Sequence, residues 1–255
     1  MASLPRAYVI NLDRSPERLA VTRARFAPTG LALERFAGID AAADPEGMAR
    51  LVDQNRFEAF MYRRALPGEV GCALSHFALW ETLADADTDT YLVLEDDAAP
   101  SPHFGALSAV LEALPDDWEL ALLSSRGWRP YWRRQAGPVT VERQWRPNYI
   151  AAGYLVNRRI LRHRHRWPPQ RRLGFMFDSW RYWAWLYGMA IYTVTPQLVL
   201  QDTEVASTIV GSGIGRAKMP RTRFPARLKS YPVRLAMYPR GAWHAARAWW
   251  RLRGA

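Results

Sequence analysis

The sequence predicts an α/β fold with a mainly parallel central sheet, helices on both faces and a basic C-terminal tail. Three observations predict it. Over the first 125 residues, short apolar strand-like runs alternate with helical patterns, the arrangement that builds parallel sheets covered on both sides. The run Tyr91-Leu92-Val93-Leu94-Glu95-Asp96-Asp97 ends four apolar strand formers in three carboxylates, and open α/β sheets bind ligands beyond the carboxyl ends of their strands. At 255 residues and 49% hydrophobic, the chain can bury a substantial core, as one large α/β domain or two small ones.

Residues 7–12 (AYVINL) form the first predicted strand. Ser15 can cap the helix that follows, and Pro16 at its first position loses no needed donor. Leu19, Thr22 and Phe26 supply its inner face, and Pro28 and Gly30 end it. A second strand covers 33–39 and finishes at Asp40; 45–60 is a less regular helical stretch. Pro67-Gly68-Glu69 opens a helix in which Val70, Leu74, Phe77, Trp80 or Glu81, and Ala84 recur at helical spacing. A polar turn at 85–89 leads into the acidic-tipped strand; a helix at 104–114 and a strand at 118–125 follow. The aromatic, Arg-rich stretch 126–146 is poorly periodic and reads as loops or a lid. Strand character resumes at 149–156, then a basic helix at 158–166, an aromatic helix after Asp178 and a strand at 191–200.

Residues 182–200 carry no charge over 19 positions, close to the length of a membrane span. Gly188, Thr193, Thr195, Pro196 and Gln197 argue against spanning, and the composition changes midway from aromatic to β-branched. The reading is a buried helix followed by a buried strand. Cys72 is the single cysteine, which excludes an intrachain disulfide and suits a reducing compartment. Residues 1–8 lack the charged, apolar, small-residue order of a secretory signal.

Charge is unevenly placed. Eleven of the 35 cations, from Arg216 to Arg253, follow Glu204 with no further carboxylate. The remaining 24 balance the 24 acidic residues, so the whole net charge of +11 lies in the last 40 positions. The expected division is a catalytic body over 1–210 and a tail over 211–255. In the tail Trp243, Trp249, Trp250, Tyr231 and Tyr238 interleave with arginines, which suits an anionic membrane surface. No nucleic-acid motif accompanies these cations, which disfavours nucleic acid as the partner. The glycines of 211–215 follow the last strand instead of opening a helix, so they read as a hinge and not a phosphate loop.

Clustered carboxylates at a strand tip suit a hard divalent cation such as Mg²⁺ or Mn²⁺; an acidic turn closing a strand is the plainer alternative. On an extended chain Glu95 and Asp97 project to one side. Asn11, Leu12, Arg14 and Arg18 sit where the first strand meets the first helix. There, backbone N–H groups and a guanidinium fork can meet nucleotide oxygens. Arg14 is read as the nucleotide contact and Arg18 as a solvated face.

Three elements, Ile10-Asn11-Leu12-Asp13-Arg14, Gly68-Glu69-Val70-Gly71-Cys72-Ala73-Leu74-Ser75-His76 and Leu94-Glu95-Asp96-Asp97, resemble in order and spacing glycosyltransferase family 25, the lipooligosaccharide-type and collagen-type sugar transferases. Gly153-Tyr154-Leu155-Val156, Phe177-Asp178 and the segment from Pro196 through Gln201 to Ser207-Thr208-Ile209 continue the likeness, with the family's usual Thr and Ala displaced near Tyr154. The resemblance covers about residues 6 to 210. It implies a GT-A fold, a nucleotide-sugar donor (UDP-galactose foremost), a sugar hydroxyl as acceptor and inversion at the anomeric carbon.

By similarity to transferases with an Asp-x-Asp motif, Asp97 is expected to bind the metal. Glu95 is expected to reach the ribose or a metal-bound water. Asp96 is expected to turn away onto backbone donors while remaining in the donor site. Asp40 is placed against uracil or ribose, with an acidic turn equally open. Ser75 and His76 are assigned to the donor site, against packing roles. Glu69 can simply favour its helix N-terminus, and Cys72 reads as a small buried hydrophobe. Asp178, after Phe175, Met176 and Phe177 and before Trp180, Trp183 and Trp185, is the expected base, since apolar surroundings make a carboxylate more basic. Its alternative role is a helix N-cap. Gln201 is a further candidate for the metal or donor. His163 and His165 lie among arginines and read as a basic surface helix.

The functional expectation is a metal-dependent inverting glycosyltransferase (Mn²⁺ or Mg²⁺) acting on a bacterial surface glycan. It is placed in the cytoplasm, peripheral on the inner membrane face. A catalytically lapsed binding protein on the same scaffold and a metal-dependent phosphohydrolase are the competing classes, and the latter lacks a further His/Asp ligand cluster in the sequence.

Overall fold

A computed structural model describes residues 4–124, 127–202, 232 and 235–253. The central sheet has eight strands in the order β2-β1-β3-β8-β5-β9-β7-β6. These are β1 (Arg6–Asn11), β2 (Leu33–Ala37), β3 (Thr90–Glu95), β5 (Leu120–Leu122), β6 (Gly127–Ala136), β7 (Val139–Pro147), β8 (Gly153–Asn157) and β9 (Ile191–Thr195). β1 pairs in parallel with β2 and β3, and β5 with β9. β8 runs antiparallel to β3 and β5, and β7 antiparallel to β9 and β6. Six strands therefore share one direction and two oppose it. A two-stranded sheet of β4 (Ala98–Pro100) and β10 (Val199–Gln201) lies beyond the acidic tip.

Strand alternation sorts side chains onto two cores. Tyr91 and Val93 of β3 join the helices α3 (Gln54–Met61), α4 (Pro67–Glu81) and α6 (Trp180–Tyr187) in one cluster. Leu92 and Leu94 join α1 (Pro16–Phe26) and α5 (Leu107–Ala113) in the other. Both faces of the sheet are covered, as expected for a doubly covered α/β sheet. The irregular stretch before α3 contains α2 (Pro45–Arg50), whose first turn is capped by Asp44.

Residues 182–200 resolve into α6, a left-handed Gly188 at its end, and β9. No helix of the described residues is long and apolar enough to cross a membrane. The stretch 126–146 corrects its expectation: from Gly127 on it is the long hairpin β6–β7, turned at Gly137 with φ of +59°, a conformation that glycine adopts without Cβ strain. Its period was obscured because β6 is an edge strand with exposed arginines. One of these, Arg129, has a positive φ, and the register slips between Pro130 and Trp132. The basic stretch 158–166 is a 3-10 helix, and His163 is buried against Glu119, not on a basic surface. The carboxylate partner is distant in sequence, so local spacing could not reveal it.

In the tail, α7 (Met237–Leu252) packs on α6, with Tyr238 and Trp185 rings 5.2 Å apart. Trp243 and Trp250 stay exposed. Ser207, Thr208, Ile209 and the glycine run 211–215 lie outside the described residues, as do all the cations from 216 to 234.

Candidate active site

β3 delivers its acidic tip between β1 and β8, and the strand ends at Glu95. Asp96 and Asp97 form a turn, so strand alternation does not govern Asp97, contrary to the extended-chain reading. The three carboxylates then meet three different environments.

Asp96 is saturated. Asn11 Nδ2 donates to its Oδ2 at 2.8 Å, Arg18 pairs with its Oδ1, and Thr22 Oγ1 donates to its backbone carbonyl at 2.8 Å. The donors are side chains and not the backbone groups expected. Asn11 is itself fully engaged: Nδ2 also reaches Ser15 O at 2.8 Å, and Oδ1 accepts from Arg35 Nε at 3.2 Å. Asn11, Asp96 and Arg18 thus join α1 to the tips of β1 and β3. Arg18 is therefore not the solvated face expected of it, while Asn11 and Asp96, expected at the donor, hold this junction together. Leu12 is half-buried behind them.

Asp97 is left short. Gln201 Nε2 donates to its Oδ2 at 3.1 Å, while its Oδ1 is buried with no hydrogen-bond partner. Burial first, and then the neighbouring Glu95, pushes its pKa up to about 7. The backbone N–H of Asp202 on Asp97 O, at 2.9 Å, ties the turn to the end of β10. Glu95 has its pKa pushed to about 7, by burial and then by Asp96. Its Oε1 lies 3.3 Å from His76 Nε2 and 4.0 Å from Cys72 Sγ.

The helix α4 explains its own unusual sequence. Glu69 accepts the Leu66 N–H at 2.9 Å and pairs with Arg63, closing the first turn. Gly71 faces the loop after β2, where a Cβ would stand 2.7 Å from Ile39 O. Ser75 Oγ donates to Gly71 O at 2.7 Å and accepts the Ile39 N–H at 2.8 Å. Ser75, expected at the donor, therefore docks the Asp40 loop. Asp40 pairs at 2.5 Å with Arg14, so these two rim residues bridge the loops after β1 and β2.

His76 is 1% exposed and stacks on Phe177, rings 4.2 Å apart. Burial drives its pKa down to about 3, so it is neutral. It stands against Glu95, at 3.3 Å. Trp80 Nε1, which can only donate, reaches Tyr154 Oη at 3.0 Å, and Tyr154 Oη lies 2.7 Å from His76 Nδ1. Tyr154 donating its one proton to Nδ1, with the imidazole proton on Nε2 toward Glu95, is an arrangement that satisfies all these groups. Cys72, His76 and Glu95 offer ligand atoms within 4.8 Å of one another; in that arrangement Nε2 is a donor and not a metal ligand. Tyr154 and Trp80 were given no role from sequence; a tyrosine inside an otherwise aliphatic buried strand was the available signal.

Asp178 sits on the same apolar wall. Its Oδ2 accepts the Ile150 N–H at 3.1 Å, and its Oδ1 is buried without a partner. Burial raises its pKa to about 6 despite that hydrogen bond. It makes no side-chain cap to α6, so the capping alternative falls away. A cavity of about 260 Å³ near it is lined from β6, β7 and the start of α6, and by none of the strand-tip carboxylates.

The family model described as glycosyltransferase family 25 (LPS biosynthesis protein) matches residues 4–159. The chain belongs to glycosyltransferase family 25. Glycosyltransferase 25 family members from Drosophila pseudoobscura pseudoobscura and Aedes aegypti are 31% and 33% identical over 108 and 101 residues. Those alignments cover 41% and 38% of this chain but 17% of each relative, so the chain spans under a fifth of their length. A putative glycosyltransferase of Acanthamoeba polyphaga mimivirus is 31% identical over 119 residues, 45% of this chain and 36% of that protein. A solved glycosyltransferase involved in glycosylation of the major capsid of PBCV-1 covers 79% of this chain and 95% of its own at a TM-score of 0.40 and 9% identity. That likeness is too slight to bear on the site.

Proposed function

We propose that this glycosyltransferase is metal-dependent and inverting, and that it moves a sugar, galactose from UDP-galactose foremost, to a hydroxyl of a bacterial surface glycan such as lipooligosaccharide. The observation that carries this reading is Asp97: a half-buried carboxylate with one buried oxygen unpartnered, next to an Asp96 whose oxygens are both engaged. A carboxylate oxygen buried without a donor leaves a place for a cation. Asp97, with Glu95, would hold Mn²⁺ or Mg²⁺, which supplies neutralisation of the diphosphate charge that develops as UDP leaves. The paired Arg14 and Asp40 at the rim offer a guanidinium and a carboxylate to the nucleotide.

Inversion needs a base on the acceptor side, within hydrogen-bond reach of the attacking hydroxyl. Asp178 fits: Ile150 fixes one oxygen, the other is unpartnered, and a pKa near 6 leaves it ionised yet basic at neutral pH. The exposed Trp243 and Trp250, with Arg240, Arg247 and Arg251 on α7, support attachment to the inner face of the cytoplasmic membrane, where a lipid-linked acceptor is presented.

Asp97→Asn tests the reading. Release of UDP from UDP-galactose in the presence of Mn²⁺ should fall by roughly 10²-fold or more, with the circular-dichroism spectrum unchanged. Undiminished turnover by the variant would sink the metal site. Absence of turnover by the wild type with any UDP-sugar would favour a lapsed, donor-binding protein.

A further inference from the structure

The cavity beside Asp178 has a chemical character of its own. It lies between the open end of the β6–β7 hairpin and the first turn of α6, and Trp128, Arg146, Tyr149, Ser179, Arg181 and Tyr182 line it. Ser179 follows Asp178 in the chain, and Tyr149 precedes Ile150, whose N–H holds the Asp178 carboxylate. The cavity therefore adjoins the base.

Its two guanidiniums are the informative feature. Several partly buried arginines elsewhere in the described structure meet carboxylates, Arg18 with Asp96, Arg25 with Asp202, Arg63 with Glu69 and Arg143 with Asp117, while Arg56, Arg134 and Arg166 rest on hydroxyl, carbonyl or ring partners. Arg146 and Arg181 are of this second kind. Arg146 donates to Tyr238 Oη at 3.1 Å and Arg181 to Tyr182 Oη at 3.0 Å, and the Nε of each is buried without a partner. Aromatic faces hold them in place, with Arg146 5.2 Å from the Trp128 centroid and Arg181 4.8 Å from that of Tyr182. Rings orient a guanidinium but do not cancel its charge as a carboxylate does. No Asp or Glu stands among the described lining residues. The result is a cationic pocket with Trp128 half-exposed and Tyr149 41% exposed at its edge, flat surfaces on which a sugar ring can lie.

We propose that this cavity is an acceptor subsite for a sugar unit bearing a carboxylate or a phosphate, its anion held by Arg146 and Arg181 and its ring by Trp128 and Tyr149. The assignment rests on Asp178 as the acceptor-side base. Two guanidiniums lining one cavity suit the forked oxygens of either anion, and the volume suits one ring rather than an extended chain.

The test is titration of the full chain with glucose, glucuronate, glucose 6-phosphate and inorganic phosphate, followed by ligand-detected NMR, with and without UDP and Mn²⁺. At least one charged sugar should bind about tenfold or more tightly than glucose, and than inorganic phosphate, as charge-assisted hydrogen bonds and ring stacking both contribute. The glucuronate and glucose 6-phosphate arms decide which anion is meant. Arg146→Gln and Arg181→Gln should each remove most of that preference while leaving the thermal shift from UDP and Mn²⁺ unchanged. Trp128→Ala, at a half-exposed position, should weaken the charged sugar and not inorganic phosphate; it carries the test if the arginine variants fold poorly. Equal binding of glucose and both charged sugars, or inorganic phosphate matching them, overturns the subsite. Failure of UDP and Mn²⁺ to stabilise the wild type, with sugar preference intact, would instead count against the donor reading alone.

Discussion

Buried carboxylates occur in two regions of this molecule, and they are treated oppositely. Glu119, at the start of β5, is 0% exposed and surrounded by donors: Arg162 Nε at 2.7 Å, Arg162 Nη2 at 2.6 Å, His163 Nε2 at 3.0 Å and the Ala190 N–H at 2.8 Å. Burial works to raise its pKa, but His163 and Arg162 outweigh it and hold the group below its ordinary value. Asp97 and Asp178 each keep one oxygen without a donor, and with Glu95 their pKa values rise to between about 6 and about 7. Burial is common to both regions; the supply of donors is not. A carboxylate that serves the fold is satisfied from within the chain, while one that serves chemistry is left for something that arrives.

The largest effect that could break this contrast is on stability. Glu119→Gln removes the counter-charge of a buried ion cluster and should cost about 3–5 kcal/mol, a fall in Tm of roughly 10 °C for a chain of this size. Asp97→Asn should change Tm far less, because one Asp97 oxygen has no donor and Arg18 stands 4.0 Å from the other. Calorimetry of both variants in the absence of divalent cation decides it, and a larger loss for Asp97→Asn would reverse the assignment of the two regions.

The same contrast predicts opposite responses to pH. In the unfolded chain Glu95, Asp97 and Asp178 ionise near pH 4; in the folded chain they do so at about 6 to about 7. Between those values the native state retains protons that the unfolded state gives up. Their contribution therefore weakens stability as pH rises from about 4 to about 7. Glu119 has the reverse sign: its contribution is present above the ordinary carboxylate range and lost as pH falls below it. Mn²⁺ should raise Tm by roughly 5 °C at pH 8, where the acidic tip is ionised, and hardly at all at pH 5. Equal shifts at both pH values would place the cation elsewhere.

A substitution at Gly71 sharpens the donor-side geometry with a smaller effect. Alanine there meets Ile39 O at 2.7 Å, and backbone cannot yield as a flexible side chain can. Gly71→Ala should cost about 1–3 kcal/mol and displace the loop carrying Asp40. The result should be a raised KM for the UDP-sugar, measured by UDP release, with little change in kcat. Unchanged KM would mean that the Asp40 loop does not meet the nucleotide.

Much of this architecture was legible in the chain because it rests on local pattern. The apolar run ending in Glu95, the proline-opened α4 and the aromatic α6 each announce themselves through periodicity and breakers. What stayed hidden depends on partners far away in sequence. Asn11 and Asp96 are 85 residues apart, Ser75 and Ile39 are 36 apart, and Glu119 and His163 are 44 apart. A polar residue at a strand tip looks the same whether it will meet a ligand or another side chain, so Asn11, Ser75 and Asp96 read as donor contacts. The β6–β7 hairpin was obscured for a different reason: an edge strand rich in arginine and tryptophan does not alternate cleanly between apolar and polar.

The most delicate distinction concerns Glu95, which belongs to the unsatisfied group yet is touched by one neutral donor. Tyr154→Phe removes the hydroxyl that fixes the His76 tautomer, at a cost of about 1–2 kcal/mol for the orphaned Trp80 N–H. His76 could then carry its proton on either nitrogen, and Glu95 would lose its fixed donor for part of the time. A fall in kcat of about tenfold is expected, smaller than for Asp97→Asn because no proposed cation ligand is lost. Nitrogen NMR of His76 should change from a single Nε2–H form to a mixture. If kcat falls while the tautomer stays fixed, Tyr154 acts through packing alone; if the tautomer shifts and kcat holds, Glu95 needs no positioning by His76.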